Sequence, residues 1–136
     1  MSAENQDSFA FSAENLEQAK AILAKYPADR AASATMPLLT LAQRQNDNWL
    51  PRAAMDVVAE MVGLAPMRVY EVATFYTMYN LKPVGKNFVQ VCTNISCLIK
   101  GSDDVFKVCK KKLGIENGET SADGNFTLLE IGRAHV

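Results

Sequence analysis

The sequence predicts an α+β chain, a four-helix N-terminal region followed by the opening half of an α/β sandwich. Apolar residues recur at helical spacing from Ser12 to about Asn80, and past Lys82-Pro83-Val84-Gly85 the period becomes that of strands. The remainder runs strand, loop, helix, turns, strand, and two strands with one helix cannot close a sheet. The expected divisions are a disordered N-terminus over 1–11, a helical region over 12–82, an incomplete α/β domain over 83–130 and a tail over 131–136.

Ser12 is placed to cap a first helix in which Leu16, Ala19, Ile22, Leu23 and Tyr26 share a face and which Pro27 ends. A second segment, about Asp29 to Gln45, puts Leu38, Leu41 and Ala42 on one side, and Pro37 within it predicts a kink or a later start. Leu50-Pro51 opens a third helix with Pro at its first position, striped by Met55, Val58, Ala59 and Val62 and closed by Gly63. Pro66 opens a fourth, with Val69, Val72, Ala73 and Tyr76 inward and Phe75 and Tyr79 widening the apolar surface. Its aromatic run, Tyr70 to Tyr79, suits either a partner-binding face or a helix central in its bundle, and the second reading is the simpler.

Asn87 to Val91 reads as a strand that delivers Cys92, and Cys97 follows after four residues of expected loop, Thr93 to Ser96. Ser102 with Asp103 and Asp104 reads as an N-cap with acids in the first turn. Both sulfurs then lie between a strand end and a helix start, where backbone N–H groups favour thiolates and metal clusters. They are a candidate half-site, and the spacing suits two half-buried cysteines equally well. The helix from Ser102 to Leu113 turns Val105, Phe106, Cys109 and Leu113 inward and stops at Gly114. Cys109 lies about 10 Å up its axis from Ser102, at ~1.5 Å per residue, and reads as a core cysteine. Asn117-Gly118 and Asp123-Gly124 mark turns before a second strand, Phe126 to Glu130, expected to present an unpaired, aggregation-prone edge.

Composition excludes several classes. Fourteen Lys plus Arg against 15 Asp plus Glu leave no excess of positive charge for nucleic acid or an anionic membrane. Lys110 to Lys112 sit at a helix end as a solvated, dipole-complementing turn. Three cysteines without a signal peptide argue against a secreted disulfide framework and for the cytoplasm. No stretch approaches transmembrane length. Neither G-x-G-x-x-G nor a P-loop occurs, so no nucleotide site is expected.

The tail, Ile131-Gly132-Arg133-Ala134-His135-Val136, back-translates to a common sequencing-library adapter read in frame. It is expected to be an artefact, which would strip meaning from His135, the only histidine.

Tyr70-Glu71-Val72-Ala73-Thr74-Phe75-Tyr76-Thr77-Met78-Tyr79, Pro83-Val84-Gly85-Lys86, Val89-Gln90-Val91-Cys92-Thr93, Cys97, Gly101-Ser102-Asp103, Lys112-Leu113-Gly114-Ile115, Gly118-Glu119-Thr120 and Phe126-Thr127-Leu128 closely resemble the NuoE-type subunit of respiratory NADH dehydrogenase, complex I. The resemblance spans Phe11 to Glu130 with its motifs in order. It implies a helical region joined to a thioredoxin-like ferredoxin domain that holds one 2Fe-2S cluster on four cysteines. Its C-x4-C pair maps onto Cys92 and Cys97. Its second pair, C-x3-C, would follow the strand Phe126 to Glu130 and is missing from this sequence, so two of four ligands are present. The fragment as written is therefore not expected to assemble a stable cluster unaided. Asn94, Ile95 and Ser96 depart from the Thr or Pro usual in that loop.

The resemblance further implies an electron carrier that takes electrons from the FMN of a partner NADH-binding flavoprotein subunit, with no catalytic residue of its own. It places the protein in the cytoplasm, peripheral on the inner face of a bacterial plasma membrane through the complex, with no direct membrane insertion. Equivalent subunits of NAD-linked hydrogenases and formate dehydrogenases share the same fold and ligands, and a docking subunit without a cluster is the rival from another class. A plant-type ferredoxin is excluded because Lys100 stands where its next cysteine would be. Thiol oxidoreductase chemistry wants C-x-x-C, not four intervening residues, and a structural zinc site lacks two further ligands.

Overall fold

The computed structural model describes residues 8–132 and divides into two compact units between Pro83 and Val84. In the first, α1 (Ala13–Leu23), a 3-10 segment (Ala28–Ala34), α2 (Thr35–Gln45), α3 (Arg52–Val62) and α4 (Pro66–Phe75) surround one apolar core. Ser12 caps α1, its Oγ accepting the Asn15 N–H at 3.2 Å. Where one segment from Asp29 was expected, the 3-10 turn comes first. Arg30 leaves helical geometry, so Pro37 falls in the first turn of α2, where its missing N–H costs no helix bond. Pro51 is the N-cap of α3 and Gly63 its left-handed C-cap at φ 69°.

The core is built from Leu38, Leu39, Leu50, Val58 and Val69, all essentially inaccessible. Leu39, outside the expected stripe of α2, is as buried as Leu38, since α2 packs against α1, α3, α4 and the 3-10 segment. Leu16, expected inside, is exposed. The expectation of disorder through residue 11 also needs correction at its end. Phe9 and Phe11 meet edge to face, centroids 5.2 Å apart, and pack against the core, whereas residues 1–7 lie outside the described ones.

The reading of α4 as central in its bundle holds for Val69 and Ala73, which are buried, and for Tyr70 and Val72, which pack partly buried against the core, and beyond the helix for Tyr79. Tyr79 is buried and its hydroxyl donates to the Met36 carbonyl at 3.0 Å. The helix stops at Phe75 because Tyr76 turns extended, leaving Phe75 77 % exposed, with Tyr76, Met67 and Met78 also open to solvent.

The second unit holds β1 (Asn87–Cys92), α5 (Ile95–Ile99), α6 (Ser102–Leu113) and β2 (Phe126–Ile131). The strands pair in parallel from Asn87↔Phe126 to Cys92↔Ile131, with α6 packed on both. Gly85 must be glycine. A Cβ there would lie 2.8 Å from the Phe126 backbone, and its N–H donates at 2.6 Å to the buried Thr127 hydroxyl.

Two expectations are corrected here. The far edge of β2 is not bare: Phe126, Leu128 and Glu130 donate their N–H groups to Ser121 Oγ, the Glu119 carbonyl and Asn117 Oδ1. The turn before β2 folds back and shields the edge, which blunts it as a template for aggregation. And Ile131, assigned to the artefactual tail, is the last residue of β2. Arg133 to Val136, with His135, lie outside the described residues.

Candidate metal centre

β1 ends at Cys92, which is buried, and Thr93 and Asn94 lead directly into α5. The segment expected as loop is thus half helix. Asn94 is its N-cap and the Leu98 N–H reaches the Asn94 carbonyl at 2.8 Å, so Cys97 sits in the middle of one short turn. That turn is tied to the end of β2 by the Thr93 N–H on the Ile131 carbonyl, the Thr93 hydroxyl on Glu130 Oε1 at 2.6 Å and the Asn94 amide on the Gly132 carbonyl at 2.9 Å. Asn94, a departure from the usual loop, is therefore a tether.

The cysteines share a hydrogen bond, and neither is in a disulfide. That bond is the first cause holding the Cys97 thiol above its ordinary value, followed by desolvation and by the charge of Cys92. They line an open pocket of about 700 Å³ with Gln90, Lys100, Ser102 and Val105. Val105 in the lining is exposed, and so are Ile95 and Ile99 on the short helix that carries Cys97.

Three sequence expectations shift around this pocket. Ser102 is not the N-cap of α6. Gly101 holds that place at φ 91°, and Ser102 is the first helical residue. Val105, expected inside, is 54 % exposed and faces the pocket; with two strands beneath α6 among the described residues, Phe106, Cys109 and Leu113 are half-buried. Cys109 does not join the pair, and among the described residues no three His, Cys, Asp or Glu side chains gather as a metal group. The lining residues Gln90 and Ser102 carried no chemical signal in sequence, because a strand residue and an expected cap have bland explanations.

The sequence profile of the thioredoxin-like [2Fe-2S] ferredoxins matches residues 19–132. The chain belongs to that family. Within it, the chain is 55 % identical over 123 residues to the E subunit of the NADH-quinone oxidoreductase of Rickettsia bellii, covering 90 % of this chain and 74 % of the relative. The same protein of Rickettsia typhi is 54 % identical over the same share, with 72 % of its length covered. The mitochondrial NADH dehydrogenase [ubiquinone] flavoprotein 2 of Dictyostelium discoideum is 54 % identical, and the chain spans 50 % of its length. This ferredoxin-family chain is thus of the NuoE type, a subunit of an oxidoreductase complex.

The donor chemistry present suits an iron–sulfur cluster in part. Two adjacent soft sulfurs at a strand end satisfy one iron, and the second iron needs two more ligands that are not among the described residues. No helix of the described residues is long and apolar enough to cross a membrane.

Proposed function

We propose that the chain is the electron-transfer subunit of an NADH:quinone oxidoreductase, with Cys92 and Cys97 holding one iron of a 2Fe-2S cluster. Such a cluster supplies one-electron transfer between the FMN of a partner NADH-binding flavoprotein subunit and the rest of the chain of carriers. The observation that supports this most is the pairing of Cys92 and Cys97 in one pocket with Cys109 left apart.

The surrounding residues have definable tasks. β1 and the tether from Asn94 and Thr93 to the end of β2 fix where the two sulfurs sit. Lys100 contributes positive charge at the pocket, and the apolar side chains of Val91 and Val105 in its lining lower the local polarity once a partner subunit covers it. In this reading the protein is peripheral, reaching the inner face of a bacterial plasma membrane through its complex.

The full-length protein tests this. Two irons and two acid-labile sulfides per chain, bleached by NADH only when the flavoprotein subunit is added, are expected. Absence of iron and sulfide from protein that still binds the flavoprotein would favour the cluster-free docking subunit.

A further inference from the structure

Ser102 carries a polar atom with nothing to do. The residue is 8 % exposed, and its Oγ is the one buried side-chain nitrogen or oxygen without a hydrogen-bond partner among the described residues. Buried hydroxyls are almost always paired, because desolvation without a partner is unfavourable. The usual employment is closed to it. Gly101 occupies the cap of α6 and Ser102 is already helical, so its hydroxyl caps no backbone N–H. The Leu98 carbonyl, four residues back, is taken by the Gly101 N–H at 3.0 Å.

Ser102 shares its pocket with two sulfurs. It lines the same pocket as Cys92 and Cys97, and Cys92 is as buried as Ser102 itself. Anionic sulfur accepts hydrogen bonds from hydroxyl groups, and such donors set the potentials of iron–sulfur centres.

We infer that the Ser102 hydroxyl is the hydrogen-bond donor to anionic sulfur of the cluster held by Cys92 and Cys97, and that it raises the cluster's reduction potential. The inference rests on the electron-carrier reading above. Its sign follows from charge. Adding one electron makes the sulfurs more negative, so a fixed donor stabilises the reduced form more than the oxidised one. Ser102 keeps its proton, and only the electron enters. Lys100 acts in the same direction, but it is exposed and screened by salt.

The test is a potentiometric titration, followed by electron paramagnetic resonance, of the full-length, cluster-bearing protein and its Ser102→Ala and Ser102→Thr variants. Ser102→Ala is expected to shift the one-electron equilibrium about tenfold toward the oxidised form, a fall of about 59 mV. Ser102→Thr, which retains the hydroxyl, stays with the wild type. The deuterium sensitivity of the iron–sulfur stretching bands should fall in Ser102→Ala and persist in Ser102→Thr. In cluster-free protein, Ser102→Ala should leave Tm unchanged or higher, since no bond is lost, and a lower Tm would show the hydroxyl already employed and overturn the inference.

Should Ser102→Ala not fold, Ser102→Val against Ser102→Thr compares absence and presence of the hydroxyl at nearly equal volume. Equal potentials within either pair would overturn the inference while leaving the electron carrier intact. Wild-type protein without iron and labile sulfide would overturn both.

Discussion

The two units differ in where their burial lies. Leu38, Leu39, Leu50, Pro51, Val58 and Val69 are fully buried in the helical unit, against Leu128 alone among the large side chains of the cysteine-bearing one. The helical unit is held by apolar packing, whereas the second is held by backbone pairing and side-chain hydrogen bonds around β2, with a half-covered α6. The proposed cluster site, Cys92 and Cys97, lies in the unit with less core. A redox centre can supply cross-links of its own, and a partner can cover exposed apolar side chains, so that unit needs less packing once it is loaded and docked.

The sharpest way to break this contrast is Leu38→Ala. It should cost about 2–5 kcal/mol and lower the unfolding midpoint reported by Trp49, which is buried in the helical unit. Hydrogen exchange at the β1 and β2 amides should remain as before. Loss of protection in both units together would show them to be one cooperative body.

Gly85→Ala is the mirror experiment. Its Cβ must displace the Phe126 backbone, at a cost of about 1–3 kcal/mol, and amide protection should fall in β1 and β2 while the Trp49 midpoint holds.

Much of the helical unit was legible because capping and period agree with packing there. Ser12, Gly63 and the stripe Met55, Val58, Ala59, Val62 behave as local chemistry dictates. Leu39, Leu16 and Phe75 were misjudged because their burial is decided by what lies opposite them in the packed unit, which helical period alone does not reveal. In the second unit both strands and α6 were visible, but α5 was not. Five residues are too few to show a period, and Asn94 reads as loop until it caps. The Cys92–Cys97 pair was legible as a candidate half-site from its place between a strand end and a helix start, while its reading as a ligand pair rested on the family resemblance. The unpartnered hydroxyl of Ser102 was not, because only the geometry of Gly101 reveals that the cap position is taken.

Smaller effects sharpen the contrast. Asp123 accepts from the Ser121 hydroxyl and from the Asn125 backbone at 3.0 Å, and these bonds hold its carboxyl well below the usual carboxylate value, at about 2. A depressed value means the carboxylate steadies the turn before β2 above about pH 4 and releases it as pH falls toward about 2. Amide chemical shifts of Asn125 and Phe126 followed through acid should show this titration, and Ser121→Ala, which removes the leading hydrogen bond, should move its midpoint upward. Phe75→Ser should change stability by less than about 0.5 kcal/mol, since the ring is largely in solvent. A larger loss by thermal denaturation would return Phe75 to the core.

We propose that Cys92 and Cys97, and not Cys109, hold the iron–sulfur centre. The visible absorbance and electron paramagnetic resonance of the full-length protein, compared across Cys92→Ser, Cys97→Ser and Cys109→Ser, test it most directly. The signals should disappear in the first two variants and survive in the third. Loss of the cluster in Cys109→Ser, or its persistence unchanged in Cys92→Ser and Cys97→Ser, would contradict it.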